Sequence, residues 1–261
     1  MIDLHCHILS GIDDGSADDD ESLRLAERLV ADGVETVAAT PHLRADHPAV
    51  RVDELAGRCA ALASHLAAAG IALAVAAGAE VDLLWAIDAS EKDLRLASLG
   101  QTGRYLLLET PYGPLTSTFE ALVFEHVMLA GLTVLLAHPE RSPSFQQDPR
   151  RLAQLTRQGV LLQVTAPALL TRRSRSASRK LAIALLGDGL VQCLASDSHG
   201  GPDGRPPNLS PARDAVAHLD PGYAEWLVSE APARILAGEA LPPVPAGHAQ
   251  PRRRFSRRRG A

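Results

Sequence analysis

The sequence contains few cysteines, few aromatic residues and no long uninterrupted hydrophobic run. Cys6, Cys59 and Cys193 are too few and too scattered for a disulfide framework. The longest apolar stretch, Leu66 to Ala79, contains two glycines and falls short of the ~20 residues that span a bilayer. The segment Met1–His7 carries Asp and His where a signal peptide would carry basic and apolar residues. These absences predict a soluble, cytoplasmic protein.

Charge is unevenly distributed along the chain. The 261 residues include 26 basic and 31 acidic ones, and six of the arginines lie between Arg252 and Gly260. The rest of the chain is therefore strongly acidic, which argues against a nucleic-acid partner and favours the binding of cations. Hydrophobic residues make up 46%, enough for a substantial core. We expect one domain over residues 1–240 and a disordered Pro- and Arg-rich tail over residues 241–261.

Seven short apolar runs alternate with helical patterns. Most of the runs are rich in Val, Ile and Leu, as in strands that are buried on both faces. This alternation predicts parallel βα units. Seven units in about 200 residues favour an α/β fold of the (β/α)7 TIM-like barrel type over a flat doubly wound sheet. The predicted strands are Met1–His7, Val34–Thr40, Ile71–Glu80, Tyr105–Glu109, Leu132–His138, Val160–Thr165 and Val191–Ser196.

Six of these seven strands end in, or run into, side chains that can bind metals. Chemistry in parallel barrels gathers at the carboxyl ends of the strands. His5 and His7 are two residues apart on one strand, so both point to the same side, and Cys6 points away. Only the sixth strand, which ends near Thr165, supplies no evident ligand. The candidates are His5, His7, Asp13, Asp14, His42, Glu80, Glu109, His138, Asp197 and His199.

This set of ligands indicates a multinuclear metal site. Glu80 and Glu109 follow apolar runs, and a bound cation would offset the cost of burying their carboxylates. Nitrogen and oxygen ligands without a thiolate suit Mn, Zn or Fe. The ligands are too many for one ion, so we expect two or three metal ions. The other histidines are assigned to the surface or to packing: His47, His65, His126, His218 and His248.

Several motifs carry a resemblance to a known family. Asp-Leu-His-Cys-His at 3–7 and Gly-Ile-Asp-Asp-Gly at 11–15 resemble the opening of the polymerase and histidinol phosphatase (PHP) superfamily. Ala-Thr-Pro-His at 39–42, Ala-His-Pro-Glu-Arg at 137–141 and Ala-Ser-Asp-Ser-His at 195–199 narrow this resemblance. Residues 1 to about 236 are similar to bacterial manganese-dependent protein-tyrosine phosphatases of capsule and exopolysaccharide operons, the CpsB/YwqE type.

The resemblance implies a distorted (β/α)7 TIM-like barrel and a trinuclear site, with Mn favoured over Fe or Zn. Asp14 is preferred to Asp13 because of the motif alignment. In the family, one acidic residue bridges two of the metals, and Glu80 matches that position. The three implied groups of ligands are His5, His7, Glu80 and Asp197; Glu80, Glu109 and His138; and Asp14, His42 and His199.

The resemblance also implies how the site acts. Arg141 and Arg205 match positions that bind the phosphate, and His42 and His199 are both candidates for the general acid. The metals would lower the pKa of a water molecule so that hydroxide exists near neutral pH, and this hydroxide would attack the phosphorus in line. The implied substrate is a phosphotyrosine-containing protein, a bacterial tyrosine autokinase that controls capsule or exopolysaccharide synthesis.

Three other interpretations stay open at this point. The chain could act on a small phosphoester, as histidinol phosphatases do, or serve as a nuclease or polymerase-editing module, which the acidic body argues against. It could also hold a structural metal without turnover. The arginine-rich tail is either a solvated end or a peripheral docking segment for anionic lipid or an acidic kinase segment. Tyr112 either lines a pocket or anchors a loop, and the oligomeric state is left open.

Overall fold

A computed structural model of the chain describes residues 1–111, 113–173, 175–201 and 204–245. The role considered for Tyr112 and most of the predicted tail therefore lie outside the described residues. The strands of the described part are β1 Ile2–His7, β2 Thr36–Ala39, β3 His42–Leu43, β4 Ala74–Ala77, β5 Glu80–Val81, β6 Tyr105–Glu109, β7 Thr133–Ala137, β8 Leu161–Thr165, β9 Cys193–Ala195 and β10 Ser198–His199.

Helices follow most of the strands, as the alternating pattern predicts. Short 3-10 turns cover Val52–Glu54, Leu99–Gln101 and Pro139–Arg141, and a π-helical turn covers Phe124–Met128. The α-helices are α1 Asp19–Ala31, α2 Leu55–Ala68, α3 Leu83–Asp88, α4 Glu91–Ala97, α5 Phe119–Val123, α6 Pro143–Gln147, α7 Arg150–Arg157, α8 Ala166–Leu170, α9 Ala177–Gly187, α10 Leu209–Ala217, α11 Pro221–Val228 and α12 Glu230–Leu236.

All strand pairs of the described residues are parallel and form two sheets. The strand orders are β10-β1-β2-β4 and β3-β5-β6-β7-β8-β9. A bond from the Asp197 amide to the His5 carbonyl, 2.8 Å long, joins β1 to the turn between β9 and β10. The α/β class with parallel strands is thus confirmed.

Three predicted strands are shorter than expected, and each is followed by a second short strand. The run at 34–40 contains β2 and is followed by β3, and the run at 191–196 contains β9 and is followed by β10. The run at 71–80 contains β4 and ends at the first residue of β5. Pro41 lacks the amide that would continue the ladder after β2. Gly78 lies between β4 and β5, where a Cβ would be 3.0 Å from Leu99. Asp197 has a left-handed backbone with φ of 54° between β9 and β10.

Capping and burial explain the first helix. The Asp18 side chain accepts a hydrogen bond from the amide of Glu21, which satisfies one of the free donors at the start of α1. Leu25, Ala26 and Leu29 on one face are buried in the main apolar core. The helix therefore covers the sheet beside β1 with its apolar face and leaves its acidic first turn in water.

The C-terminal segment is attached to the strands. The Tyr105 hydroxyl donates to the carbonyl of Glu239 over 2.6 Å. Leu241 and Val244, the first apolar residues of the predicted tail, pack against the core. The end of the described chain is therefore fixed on the domain as far as these contacts reach. No helix in the described ranges is long and apolar enough to cross a membrane.

Gly15 tests how tightly the loop after β1 is packed. A Cβ at this position would lie 2.1 Å from the His7 carbonyl oxygen, whereas a Cβ on Gly57, in α2, meets nothing within 4 Å. We expect Gly15→Ala to lower the free energy of unfolding by at least about 2 kcal/mol. The control Gly57→Ala should raise it by about 1 kcal/mol. Urea unfolding measures both values, and a Gly15→Ala protein as stable as the parent would contradict the packing argument.

Candidate metal centre

The structure brings all nine predicted ligands together at the carboxyl ends of the strands. Eight of the nine residues are buried, and Asp14 is half exposed. Within each of four overlapping groups, the potential ligand atoms lie within 4.8 Å of one another. These groups are His5, His7 and Asp197; His5, Glu80 and His138; His42, Glu80 and Glu109; and His7, Asp14, His42 and His199.

His5 and His7 form one wall of the centre because alternate residues of β1 face the same side. Their Nε2 atoms are 3.2 Å apart. Asp197 Oδ1 lies 3.4 Å from the first and 3.5 Å from the second. Cys6, between them, is buried in the apolar core, and burial raises the pKa of its thiol well above the usual value. The thiol therefore has no role at the centre.

Glu80 lies in the middle of the site and faces four imidazoles. Its Oε1 is 2.7 Å from His138 Nε2. Its Oε2 is 3.1 Å from His42 Nδ1, 3.2 Å from His5 Nε2 and 3.5 Å from His7 Nε2. Burial alone would raise the pKa of Glu80, but the charges of His5 and His138 hold it well below its usual value. A carboxylate with both oxygens among imidazoles can bridge two metal ions.

Two adjacent acids take different places. Asp13 Oδ2 is 2.8 Å from His7 Nδ1 and accepts a hydrogen bond from the His42 amide. Asp14 Oδ1 instead lies 3.3 Å from His199 Nε2 and 3.5 Å from His42 Nε2. Asp13 thus orients an imidazole from behind, and Asp14 presents its carboxylate to the imidazoles of the third implied group.

The histidines fall into two electrostatic classes. Burial disfavours protonation of His5 and His7, but Glu80 and Asp197, and for His7 also Asp13, raise the pKa of both above the usual value. Burial lowers the pKa of His42 to about 4 and also lowers that of His199. The lowered pKa of His42 and His199 keeps these imidazoles neutral and able to bind a metal ion at neutral pH, whereas His5 and His7 must release protons to do so at any pH below their raised pKa.

Two unsatisfied buried atoms fit a metal ion. Within the described ranges, Glu80 Oε2 and His42 Nδ1 lie 3.1 Å apart, yet neither atom makes a hydrogen bond of acceptable geometry. Buried polar atoms are almost always satisfied, so such a pair is unusual. Both atoms point into the cluster of carboxylates and imidazoles, whose donor chemistry suits Mn, Fe or Zn. The residues present therefore fit a divalent metal centre.

Arg141 and Arg205 stand at the edge of the centre, on Asp197. Arg141 Nη1 is 2.7 Å from Asp197 Oδ2, and Arg205 Nη2 is 2.8 Å from Oδ1. Their side chains are 29% and 36% exposed, so each guanidinium also reaches solvent. Burial raises the pKa of Asp197, but His5 and other cationic neighbours, Arg205 among them, keep it well below its usual value.

The sixth predicted strand adds no residue to the four ligand groups, but it supports one of the ligands. Gln163 on β8 is buried, and its Oε1 lies 3.0 Å from His5 Nδ1. An amide oxygen can only accept, so His5 carries its proton on Nδ1 and directs Nε2 at the centre. The signal in the sequence was a single polar residue, Gln163, between the apolar residues Leu162 and Val164 of the predicted strand.

Sequence reasoning also missed Arg44. Its Nη1 lies 3.0 and 3.1 Å from the two carboxylate oxygens of Glu109. Burial and the charge of Glu80 raise the pKa of Glu109, and Arg44 opposes this shift. Nearby, the His47 ring stacks on His42 with centroids 5.2 Å apart, so this histidine packs against the centre. Both residues follow β3, where no periodic pattern pointed to them.

Two of the four non-glycine residues with a left-handed backbone in the described part of the chain lie at the site. His138 has φ of 37° and Asp197 has φ of 54°, although neither is glycine. A left-handed residue of this kind costs of order 1 kcal/mol or more and persists where its surroundings fix it. At both positions the turn directly follows a strand and directs a ligand into the centre.

The binding of Mn²⁺ is expected to depend on pH. The carboxylates raise the pKa of His5 and His7, so below that pKa each must lose a proton before it binds a metal ion. The apparent affinity should rise with pH, by up to about tenfold per pH unit for each proton released. Calorimetry in buffers of different ionisation enthalpy counts the protons. The exposed His65 is the control: His65→Ala should leave the profile unchanged, and a flat profile for the parent would contradict this assignment.

Comparison with known proteins agrees with this geometry. The sequence profile of a family described as "Capsular polysaccharide synthesis, CpsB/CapC" matches residues 1–237. The chain is 31% identical over 203 residues to the tyrosine-protein phosphatase YwqE of Bacillus subtilis, covering 76% of this chain and 77% of that protein. It is 28% identical over 228 residues to the tyrosine-protein phosphatase CpsB of Streptococcus pneumoniae, covering 83% and 90%.

Solved structures extend the comparison. Crystallographic work on YwqE and CpsB, described as unique metal-dependent tyrosine phosphatases, includes a chain that matches with a TM-score of 0.81 and 25% identity, covering 92% of this chain and 96% of that one. An organophosphorus hydrolase from Deinococcus radiodurans matches with a TM-score of 0.52 and 16% identity over 90% and 92%, a likeness of fold alone. From its sequence profile and its relatives, the chain belongs to the CpsB/CapC family of capsular polysaccharide synthesis.

Proposed function

We propose that this chain hydrolyses phosphotyrosine in proteins with the help of divalent metal ions. The observation that carries the proposal is the set of nine converging nitrogen and oxygen ligands, bordered by two arginines that reach solvent. Its relatives YwqE and CpsB are named tyrosine-protein phosphatases, which supports the same substrate here. The partner we propose is a bacterial tyrosine autokinase of capsule or exopolysaccharide synthesis.

We infer that the two sheets form one distorted barrel of seven βα units. The successive short strands supply one piece to each sheet at β2 and β3, at β4 and β5, and at β9 and β10. Each end of one sheet thus continues, along the same stretch of chain, into the other. We propose that residues 1–240 form the phosphatase domain and that the protein is located in the cytoplasm. Residues 241–261 are proposed to be dispensable for phosphatase activity.

The ligand groups support two or three metal ions, with Mn preferred. When bound, such ions neutralise the charge of a phosphate and make a water molecule acidic. His5, His7, Glu80 and Asp197 would hold one of them. Glu80, Glu109 and His138 would hold a second, and Asp14, His42 and His199 a third. Asp13 and Gln163 fix the rings of His7 and His5 for this purpose.

The residues of the chain account for the remaining steps. Arg141 and Arg205 offer N–H donors in a planar fork, which suits the oxygens of a phosphoryl group. The leaving group is a phenolate whose conjugate acid has a pKa near 10, so its departure needs little help from a proton donor. His199 Nε2 lies 3.0 Å from Arg205 Nη2, and His42 faces the same Asp14 carboxylate as His199. We retain both as candidates for that donor.

A small phosphoester such as histidinol phosphate is the second candidate substrate. It would use the same ligands and the same arginines. The names of the curated relatives favour phosphotyrosine, and the acidic charge of the chain argues against a nucleic-acid substrate. The two esters therefore belong in the same experiment.

The direct test measures phosphate release by the Mn²⁺-loaded protein from a phosphotyrosine peptide and from histidinol phosphate, each with and without chelator. We expect chelator-sensitive turnover that prefers the peptide. Asp197→Ala and His138→Ala should abolish it while circular dichroism shows a folded protein. Preference for histidinol phosphate would move the protein to the second class, and activity in either variant would contradict the ligand assignment.

The two arginines give a separate prediction. Arg141→Ala and Arg205→Ala should each lower kcat/KM for the peptide by about 30- to 1000-fold, as expected when a charged donor to the transition state is lost. The lysine variants should recover part of the loss because the positive charge is kept. Metal content, measured by mass spectrometry, should not change in the lysine variants.

Arg213, which is 32% exposed and paired with its neighbour Asp214, is the matched control. Arg213→Ala should act like the parent. If the Arg141→Ala and Arg205→Ala variants both kept full activity, the arginines would have no part in the proposed mechanism.

A further inference from the structure

Basic residues are segregated in one internal stretch of the chain. Between Asp148 and Asp188 there is no acidic residue, while eight residues are basic. Outside this stretch and the arginine-rich tail, the chain holds 12 basic and 31 acidic residues. One part of an acidic domain is therefore strongly positive, and the structure shows where it lies.

Four of these basic side chains form what we term the basic rim: Arg172, Arg173, Arg175 and Lys180. All four are exposed. Over the described part of the chain, none of them forms an ion pair. Most of the other arginines among the described residues do, as Arg150 does with Asp148. The charge of the basic rim is thus free to meet a ligand of opposite sign.

The basic rim lies beside the candidate phosphate-binding arginine. It follows α8, which begins at the carboxyl end of β8, the same edge at which the metal ligands gather. Ser178, in the first turn of α9, lies 3.2 Å from Gln146 Nε2, which also donates to the carbonyl of Glu140. Glu140 directly precedes Arg141 and accepts hydrogen bonds from Thr165 at the end of β8. This chain of contacts places the start of α9 against the turn that carries Arg141.

We propose that the basic rim binds acidic residues that flank the phosphotyrosine of the substrate chain. The inference rests on the proposed function and adds to it a charge preference outside the phosphate site. A peptide whose phosphate lies at Arg141 must cross this edge of the domain. Exposed charges act over about 8 Å at physiological ionic strength, so only nearby acidic residues would gain.

Charge favours a peptide over an extended anionic surface. A membrane or a nucleic acid would also meet the acidic residues that dominate the rest of the chain, and would be repelled there. A short acidic segment touches only the basic rim. Arginine forks suit carboxylates because two parallel hydrogen bonds can form.

The test compares two phosphotyrosine peptides that differ only in having Asp and Glu or Asn and Gln around the tyrosine. The Mn²⁺-loaded full chain should show a three- to tenfold higher kcat/KM for the acidic peptide at low salt, roughly the worth of two exposed ion pairs. The preference should fade at about 0.5 M salt. Arg172→Gln with Arg173→Gln should remove the preference and leave turnover of p-nitrophenyl phosphate unchanged.

The matched control is Arg104→Gln with Arg157→Gln, two exposed arginines that precede β6 and β8 at the opposite edge. This variant should keep the preference. Equal turnover of both peptides by the parent, or a preference that survives in the rim variant, would overturn the inference and leave the proposed function intact. If the protein shows no peptide preference but binds phosphatidylglycerol vesicles, and the rim variant does not bind them, the ligand of the basic rim is a membrane and the inference is wrong. If neither peptide is hydrolysed while p-nitrophenyl phosphate is, the proposed function itself fails.

Discussion

The structure depends on one electrostatic constraint, the burial of several carboxylates at the same edge of the sheets. Isolated, each buried charge would cost several kcal/mol, which only well-placed partners can offset. Glu80 meets imidazoles on both oxygens, Asp197 meets two guanidinium groups, and Glu109 meets Arg44. The arrangement that stabilises these buried carboxylates also places them where they can bind metal ions. The stability of the domain and its chemistry therefore depend on the same contacts.

The irregular features of the fold follow from this arrangement. A regular parallel strand would place alternate side chains in fixed directions, and too few of them would reach a common point. The breaks after β2, β4 and β9, and the left-handed backbone of His138 and Asp197, turn additional side chains toward it. This backbone strain therefore lies at residues that direct ligands into the site. The regular strands and the apolar core hold these residues in their strained conformation.

The sequence revealed the strands, their order of alternation with helices, and the residues that end them. That was sufficient because apolar runs and the spacing of His5 and His7 are local properties. It did not reveal that Arg44 would reach Glu109 or that Gln163 would meet His5. These contacts join distant parts of the chain, and each residue alone looks like ordinary polar surface or an isolated buried amide. Nor could local patterns separate Asp13 from Asp14, whose roles differ only through their three-dimensional neighbours.

The ligands at the two ends of the domain have a consequence for assembly. His5 lies on the first strand, while Asp197 lies 192 positions later and 3.4 Å away from it. No fragment made early in translation can contain a complete centre, because the first ligands are synthesised long before their partners. A metal ion shared by these residues would link the beginning of the domain to its end. The centre could then bind its full set of metal ions only after the whole domain has folded, so an incomplete chain would have no activity.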